Sequence, residues 1–256
     1  MKFSANLGFL WRDRPLPAAI RAAKAAGFDA VECHGPYDVP VAQMNQALRD
    51  TGLSMLSLNT RRGNPVSGDN GLSALPGREA EARSAIDEAI RYAVAIGASR
   101  VHVMAGIASG ASAHQSFVAN LTYACAQALP HGISILIEPL NIYDAPGYFL
   151  NTTDQAIAVI DAVGAANLFL MFDCYHVQLM EGDLTNRLTS LLPRIGHIQF
   201  ASVPDRGAPD QGEVNYRHIF RTLRNLGYTA PLGAEYRPEG DTDSTLGWMR
   251  TLRPGA

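Results

Sequence analysis

The chain has 256 residues, with 21 Lys and Arg against 24 Asp and Glu, a formal charge of -3, and 47% hydrophobic against 18% charged residues. That composition can fill a large core and excludes a disordered chain, and its scattered cations give no basic stripe for a nucleic acid. No apolar run reaches the roughly 18 residues of a membrane span, and Arg12, Asp13 and Arg14 follow MKFSANLGFLW too closely for a signal-peptide core. The expected location is cytoplasmic. Cys33, Cys125 and Cys174 are odd in number and form no CxxC, as expected of reduced, partly buried thiols.

In chain order, KFSANL reads as a first strand. AKAAGFDAVE then sets an order that returns along the chain: a helical Ala- and Leu-rich stretch, a glycine, and a short aliphatic run. LRDTGLSMLSLN, AVAIGASRVHVMA, ALPHGISILIEP, IDAVGAANLFLMFD and LRNLGYTAPLGAEY repeat it. Gly27, Gly52, Gly97, Gly132, Gly164 and Gly227 suit the left-handed position that ends a helix, and mark the helix-to-strand joints. With KFSANL and the HIQF run after Gly196, the chain offers eight strands, each followed by a helix. Strands alternating with helices imply parallel pairing, and near-continuous apolar strands imply burial on both faces. Eight units in about 250 residues match a (β/α)8 TIM barrel, expected as a single domain over residues 1–256. A doubly wound sheet would want a Gly-rich fingerprint after its first strand, and none is present.

Active sites of such barrels are built where the strands exit at their C-terminal ends. The exits carry Asn6, Glu32 and His34, Asn59 with Arg61 and Arg62, His102, Glu138, Asp173 with His176, His197 and Gln199, and Glu235. Glu138 ends the apolar run ILI and precedes Pro139; a buried carboxylate there costs several kcal/mol, roughly, unless it meets a partner, a metal or water. Glu235 closes the eighth strand in the same manner, across the mouth from the fifth. Asp173 reads equally as a helix N-cap, and Gln199 as an amide tied to backbone. Together Glu138, Asp173, Gln199 and Glu235 bring oxygen donors from four successive strands, a set suited to a hard divalent cation such as Mg²⁺ or Mn²⁺. His197 reads as a packed core histidine, and His34 and His102 as structural or supporting groups. Cys174 has no partnered base nearby, and Trp11 and Trp248 read as packing residues. Arg61, Arg62 and Arg206 are loop cations that could fork onto a small anion.

NLGFLW, GPYD, LPGREAEAR, IEPLN, FDCYH, MEGDLTN, GHIQFA, QGEVNY and AEYRP occur in that order along nearly the whole chain. By these motifs the sequence resembles the hydroxypyruvate isomerase family of xylose-isomerase-like barrels. The resemblance implies metal ligation by Glu138, Asp173, Gln199 and Glu235, with Glu138 and Glu235 as the acid/base pair. It also implies substrate contact by His176 and Arg206; the charge of an anionic substrate adds Arg61 or Arg62 in support. Ser202 and Val203 stand where the family often has acidic or amide residues. Gln199 stands where sugar epimerases of the superfamily carry a metal-binding His.

The function expected is metal-dependent isomerisation of a short oxo acid, hydroxypyruvate to tartronate semialdehyde or a 2-oxo-tetronate, by proton transfer between two glutamates. The alternative is a sugar 3-epimerase on the same barrel. The expected partner is a small anionic substrate, with neither nucleic acid nor membrane; a homo-oligomer stays open.

Overall fold

The computed structural model describes residues 1–252. Its first half comprises β1 (Phe3–Asn6), α1 (Leu16–Ala25), β2 (Ala30–Cys33), α2 (Val41–Thr51), β3 (Ser54–Asn59), α3 (Glu79–Ile96), β4 (Arg100–His102) and α4 (Gly110–Ala128). The second half comprises β5 (Ser134–Ile137), α5 (Thr153–Val163), β6 (Leu168–Asp173), α6 (Cys174–Met180), α7 (Leu184–Leu191), β7 (Ile195–Phe200), α8 (Tyr216–Asn225), β8 (Leu232–Ala234) and α9 (Trp248–Leu252). The strands pair in parallel and in sequence order, and β8 pairs back onto β1, closing the (β/α)8 barrel that the repeating pattern predicts.

All six joint glycines have positive φ, from 64° at Gly164 to 89° at Gly27. A Cβ would be strained there, so glycine is what lets each helix stop and the chain turn into the next strand. The repeat is interrupted after β6, where two short helices follow instead of one. Gly182 and Asp183, with φ of 64° and 51°, break the helical run between them.

Because strand side chains alternate, each strand shows one face to the helices and one to the barrel axis. Phe3 and Phe200 pack outward on Phe220 of α8 and Trp248 of α9, with ring centroids 5.1 to 5.5 Å apart. Burial of each such ring contributes roughly 1.5–3 kcal/mol. Trp11 and Trp248 are both buried, as the sequence suggested. The axis is different. Barrel interiors are usually filled by branched apolar side chains, but here Ser4, Asn6, Glu32, His197 and Gln199 are buried and hydrogen-bonded to one another. Among the described residues no helix is long and apolar enough to cross a membrane.

Candidate active site

Glu138 follows β5 directly, Asp173 ends β6, Gln199 is the penultimate residue of β7, and Glu235 follows β8 directly. Strand register aligns them: Asp173 pairs with Gln199, and Gln199 with Gly233. All four are buried, and Glu138 Oε1, Asp173 Oδ2, Gln199 Oε1 and Glu235 Oε2 each have no hydrogen-bond partner among the described residues. An unsatisfied buried polar atom costs about 1–3 kcal/mol. Four such atoms stand at the C-terminal ends of four adjacent strands, and oxygens of this kind are the donors that a hard cation takes. Asp173 is also a helix N-cap: its other oxygen, Oδ1, caps α6 by accepting from the Tyr175 N–H at 2.9 Å.

Glu138, Asp173 and His176 can hold a metal ion, since one ligand atom of each lies within 4.8 Å of the others. Hydrogen bonds turn His176 from a possible ligand into a donor. The Asn141 N–H donates to its Nδ1 at 2.9 Å, while the Asn141 side-chain amide approaches the same atom at 2.7 Å. That amide's oxygen is committed to the N–H groups of Tyr143 and Asp144, so its NH₂ faces the ring. Nδ1 is therefore the acceptor and Nε2 carries the hydrogen of the neutral imidazole. Nε2 points at Asp173 Oδ2, 3.6 Å away, and at Glu138 Oε1, 4.0 Å away. Burial, reinforced by Arg206 and Arg237, keeps this ring neutral.

Burial also raises the Asp173 carboxyl to about 7, against the pull of Arg206. Glu138 is pushed well up, first by burial and then by repulsion from Glu235 and Asp173. Arg206 is the counter-charge. Its Nη2 lies 3.4 Å from Glu235 and 3.6 Å from Asp173, its Nη1 lies 3.4 Å from Asp144, and the guanidinium stacks on Phe9 and Tyr175. Desolvation works against this buried cation, yet the surrounding carboxylates hold its proton more firmly than usual. When Glu138, Asp173 and Glu235 are all ionised, Arg206 offsets one of their three negative charges, and the two left match one divalent cation.

The short loop VPDR after β7 can turn Arg206 back over the site, and the bonds that fix this turn are not visible in the sequence. Ser202 accepts the Arg206 N–H through its carbonyl at 3.0 Å and the Gly207 N–H through its hydroxyl at 2.9 Å. Those bonds hold Arg206 at a φ of 54°, so the departure at Ser202 is a turn that aims the guanidinium inward. Asn141 and Asp144 were also missed as site residues, although Asn141 belongs to the IEPLN motif; only the tertiary contacts reveal their partners. Arg61 is placed at the rim, where it donates to Glu88 at 2.7 Å and to Asp38 at 3.3 Å. Each glutamate has a histidine beside it. His34 Nε2 is 3.2 Å from Glu235 Oε1, and His102 Nδ1 is 3.6 Å from Glu138 Oε2. Burial lowers His102 to about 3, and neither of its nitrogens has a hydrogen-bond partner among the described residues. The three cysteines are free and buried; burial pushes the Cys174 thiol well up, which leaves it a poor nucleophile.

These groups open onto a cavity of about 550 Å³ lined by Phe9, His34, His102, Glu138, His176, Arg206 and Glu235, among others. A parallel barrel with a buried, charge-compensated carboxylate cluster at its C-terminal mouth defines a class: barrel enzymes that act on small molecules in that mouth. Residues 20–252 match the family model of the xylose isomerase-like TIM barrel. The chain is 43% identical over 253 residues to 2-oxo-tetronate isomerase of Cupriavidus necator, covering 97% of each chain. It is 38% identical over 257 residues to hydroxypyruvate isomerase of Escherichia coli, covering 99% of this chain and 100% of that one. A crystal structure described as AP endonuclease, family 2, from Brucella melitensis superposes with a TM-score of 0.94 at 37% identity, covering 98% of this chain and 99% of that one. The chain belongs to the hydroxypyruvate isomerase family of xylose isomerase-like TIM barrels, and it is an isomerase.

Proposed function

We propose that this isomerase acts on a short oxo acid, hydroxypyruvate or a 2-oxo-tetronate, and moves its carbonyl by one carbon. One divalent ion, Mg²⁺ or Mn²⁺, is held by Glu138, Asp173, Gln199 and Glu235. The observation that supports this reading is that each of those four residues, at the C-terminal ends of four adjacent strands, keeps one buried oxygen without a hydrogen-bond partner among the described residues. The names of the relatives from Cupriavidus necator and Escherichia coli support the substrate class. When bound, the ion supplies Lewis-acid stabilisation of negative charge on the carbonyl and adjacent hydroxyl oxygens.

The protein's own groups move the protons. One of Glu138 and Glu235 removes the proton from the hydroxyl-bearing carbon next to the carbonyl, which gives an enediolate. The other returns a proton to the former carbonyl carbon. The hydroxyl proton passes from its oxygen to the former carbonyl oxygen as the new carbonyl forms, and proton exchange with water returns both glutamates to their starting states, so atoms and charge balance. His176, fixed by Asn141 as an Nε2–H donor, turns that hydrogen toward the ion site beside Glu138 and Asp173, where a substrate oxygen can accept it.

Arg206 is engaged by three carboxylates, and Arg61 by Glu88 and Asp38. Arg12 and Arg62 line the same cavity with no ion pair among the described residues. The substrate's carboxylate is accordingly read by Arg62 and Arg12, with Arg206 and Arg61 forming the cationic wall behind them. A cytoplasmic, single-domain enzyme belongs to the same reading.

Metal analysis tests it. The purified parent, loaded and dialysed, should retain one ion per chain and turn over oxo acids. Asp173→Ala should retain none while keeping its far-ultraviolet circular dichroism. Full stoichiometric metal in the variant would reject the ligand set.

A further inference from the structure

Glu32, on β2, is fully inside the barrel and accepts a hydrogen bond at every position its carboxylate offers. Oε1 accepts from Asn6 Nδ2 at 3.1 Å and from Gln199 Nε2 at 2.8 Å. Oε2 accepts from Ser4 Oγ at 3.2 Å and faces His197 Nε2 at 2.5 Å. The donors come from β1 and β7, so the carboxylate reaches across the barrel axis to Gln199. It can do so because β8 contributes Gly233 at that level. A Cβ there would lie 2.7 Å from Glu32 Oε1 and 2.8 Å from Gln199 Cγ. Gly233 is outside the positive-φ region, so space, not backbone freedom, is what a glycine provides.

The consequence falls on the Gln199 amide. Its nitrogen is bound to Glu32, which leaves Oε1 buried and unpartnered. Rotating the amide by half a turn would set its oxygen against the Glu32 carboxylate and strand its two N–H donors, a cost of about 1–3 kcal/mol for each unsatisfied group. An amide, unlike a carboxylate, has one end that can ligate a cation and one that cannot, and something must choose.

We propose that Glu32 is a positioning residue: through the gap at Gly233 it locks the Gln199 side-chain amide with its oxygen turned toward the ion site. The inference rests on the reading of Gln199 Oε1 as an ion donor. Glu32 acts on the ion only through Gln199, and it acts by accepting a hydrogen bond, not by its charge. A glutamine at position 32 could still accept from Gln199 with its oxygen. Its NH₂ could face His197 Nε2, because His197 Nδ1, unpartnered among the described residues, is available to carry the ring proton.

Mn²⁺ titration calorimetry on the full chain tests this with Gln199→Ala, Glu32→Leu, their double variant, Glu32→Gln and Gly233→Ala. Partners behind a metal ligand are typically worth 10- to 100-fold in affinity. Glu32→Leu and Gly233→Ala should each weaken Mn²⁺ by about that factor, the double variant should be no weaker than Gln199→Ala alone, and Glu32→Gln should restore affinity to within about threefold of the parent. A merely structural Glu32 would lower the unfolding midpoint, and its effect on Mn²⁺ would multiply with that of Gln199→Ala. Multiplying losses, a Gly233→Ala variant with parental affinity, or Glu32→Gln as weak as Glu32→Leu would overturn the proposal. Parental affinity in Gln199→Ala would instead overturn the ligand assignment beneath it. Should Glu32→Leu fail to fold, Gly233→Ala carries the test together with NMR of the parent. The Gln199 side-chain NH₂ signal, identified by its absence in Gln199→Ala, should stay hydrogen-bonded and slow to exchange with and without Mg²⁺. Fast exchange in both states would overturn the proposal.

Discussion

Replacing Arg206 with Met removes the one guanidinium buried among the ligand carboxylates while keeping a chain of similar length against Phe9 and Tyr175. Its Nη2 is 3.4 Å from Glu235 and 3.6 Å from Asp173. At about 3.5 Å and an effective dielectric of about 20, each contact is worth roughly 5 kcal/mol of Coulomb energy, most of it offset by desolvating the cation. Breaking a buried pair by removing one partner costs about 3–5 kcal/mol, and that is the loss expected for the metal-free protein at pH 8. The sign with pH follows from the acids. Asp173, raised to about 7, and Glu138, raised well above its ordinary value by burial and the neighbouring carboxylates, bind protons more readily in the folded than in the unfolded chain. Stability therefore falls as pH rises from the ordinary carboxylate range through those raised values. At pH 5 Asp173 is largely protonated and Arg206 has less charge to offset, so the variant's loss there should be smaller than that at pH 8. Urea unfolding of chelator-treated parent and variant at the two pH values measures it; with a slope of about 3 kcal/mol/M, the pH 8 midpoint should drop by about 1 M or more. Equal losses at both pH values would refute the account of Arg206 as counter-charge.

Glu138→Gln and Glu235→Gln, assayed at saturating metal, should each lower kcat by about 10²–10⁴-fold, because an amide offers an oxygen but cannot shuttle a proton; near-parental kcat in both would remove the acid/base pair. Asp173→Asn keeps an oxygen to cap α6 but has no proton to lose, so the metal-free variant should be more stable than the parent at pH 8 by roughly 2–4 kcal/mol, with the difference closing toward pH 4. A pH-independent difference in urea midpoints would contradict the raised Asp173. Arg62→Ala should raise KM for an oxo acid by about tenfold, in keeping with roughly 1.5–3 kcal/mol for a hydrogen bond to a charged group, and should leave KM for an uncharged ketose of similar length unchanged. Equal changes on both substrates would deny Arg62 a carboxylate-reading role.

The barrel was legible because its signals are local. Each Gly that ends a helix must supply positive φ by itself, and each apolar run is a strand whatever surrounds it, so joints and strand order could be read from one end of the chain to the other. The doubled helix after β6 was hidden, since a positive φ at Asp183 is not written in its residue type. For the site, strand ends were enough to bring Glu138, Asp173, Gln199 and Glu235 to one mouth. The roles of their supports were not legible, because they depend on contacts between distant segments. Arg206 reads in sequence as a loop cation able to turn back over the site, and only Ser202 and Asp144 show how it is turned and what it pairs with. His176 reads as a strand-end histidine, and only Asn141 fixes which nitrogen carries the hydrogen. Glu32 stood in view among the strand-end residues, but its reach to Gln199 depends on Gly233 of a strand at the far end of the sequence.

The central claim, that the four-oxygen site serves carbonyl transfer along a short oxo acid, is tested most directly by carbon NMR of hydroxypyruvate labelled at its carbonyl carbon. The label should be followed during incubation with the Mg²⁺-loaded protein. The account predicts that the labelled signal moves from the carbonyl region to that of a hydroxyl-bearing carbon while an aldehyde appears at the neighbouring unlabelled position, and that chelator abolishes the change. A label that stays at the carbonyl in the presence of stoichiometric Mg²⁺, with hydroxypyruvate and each 2-oxo-tetronate tried, would contradict it.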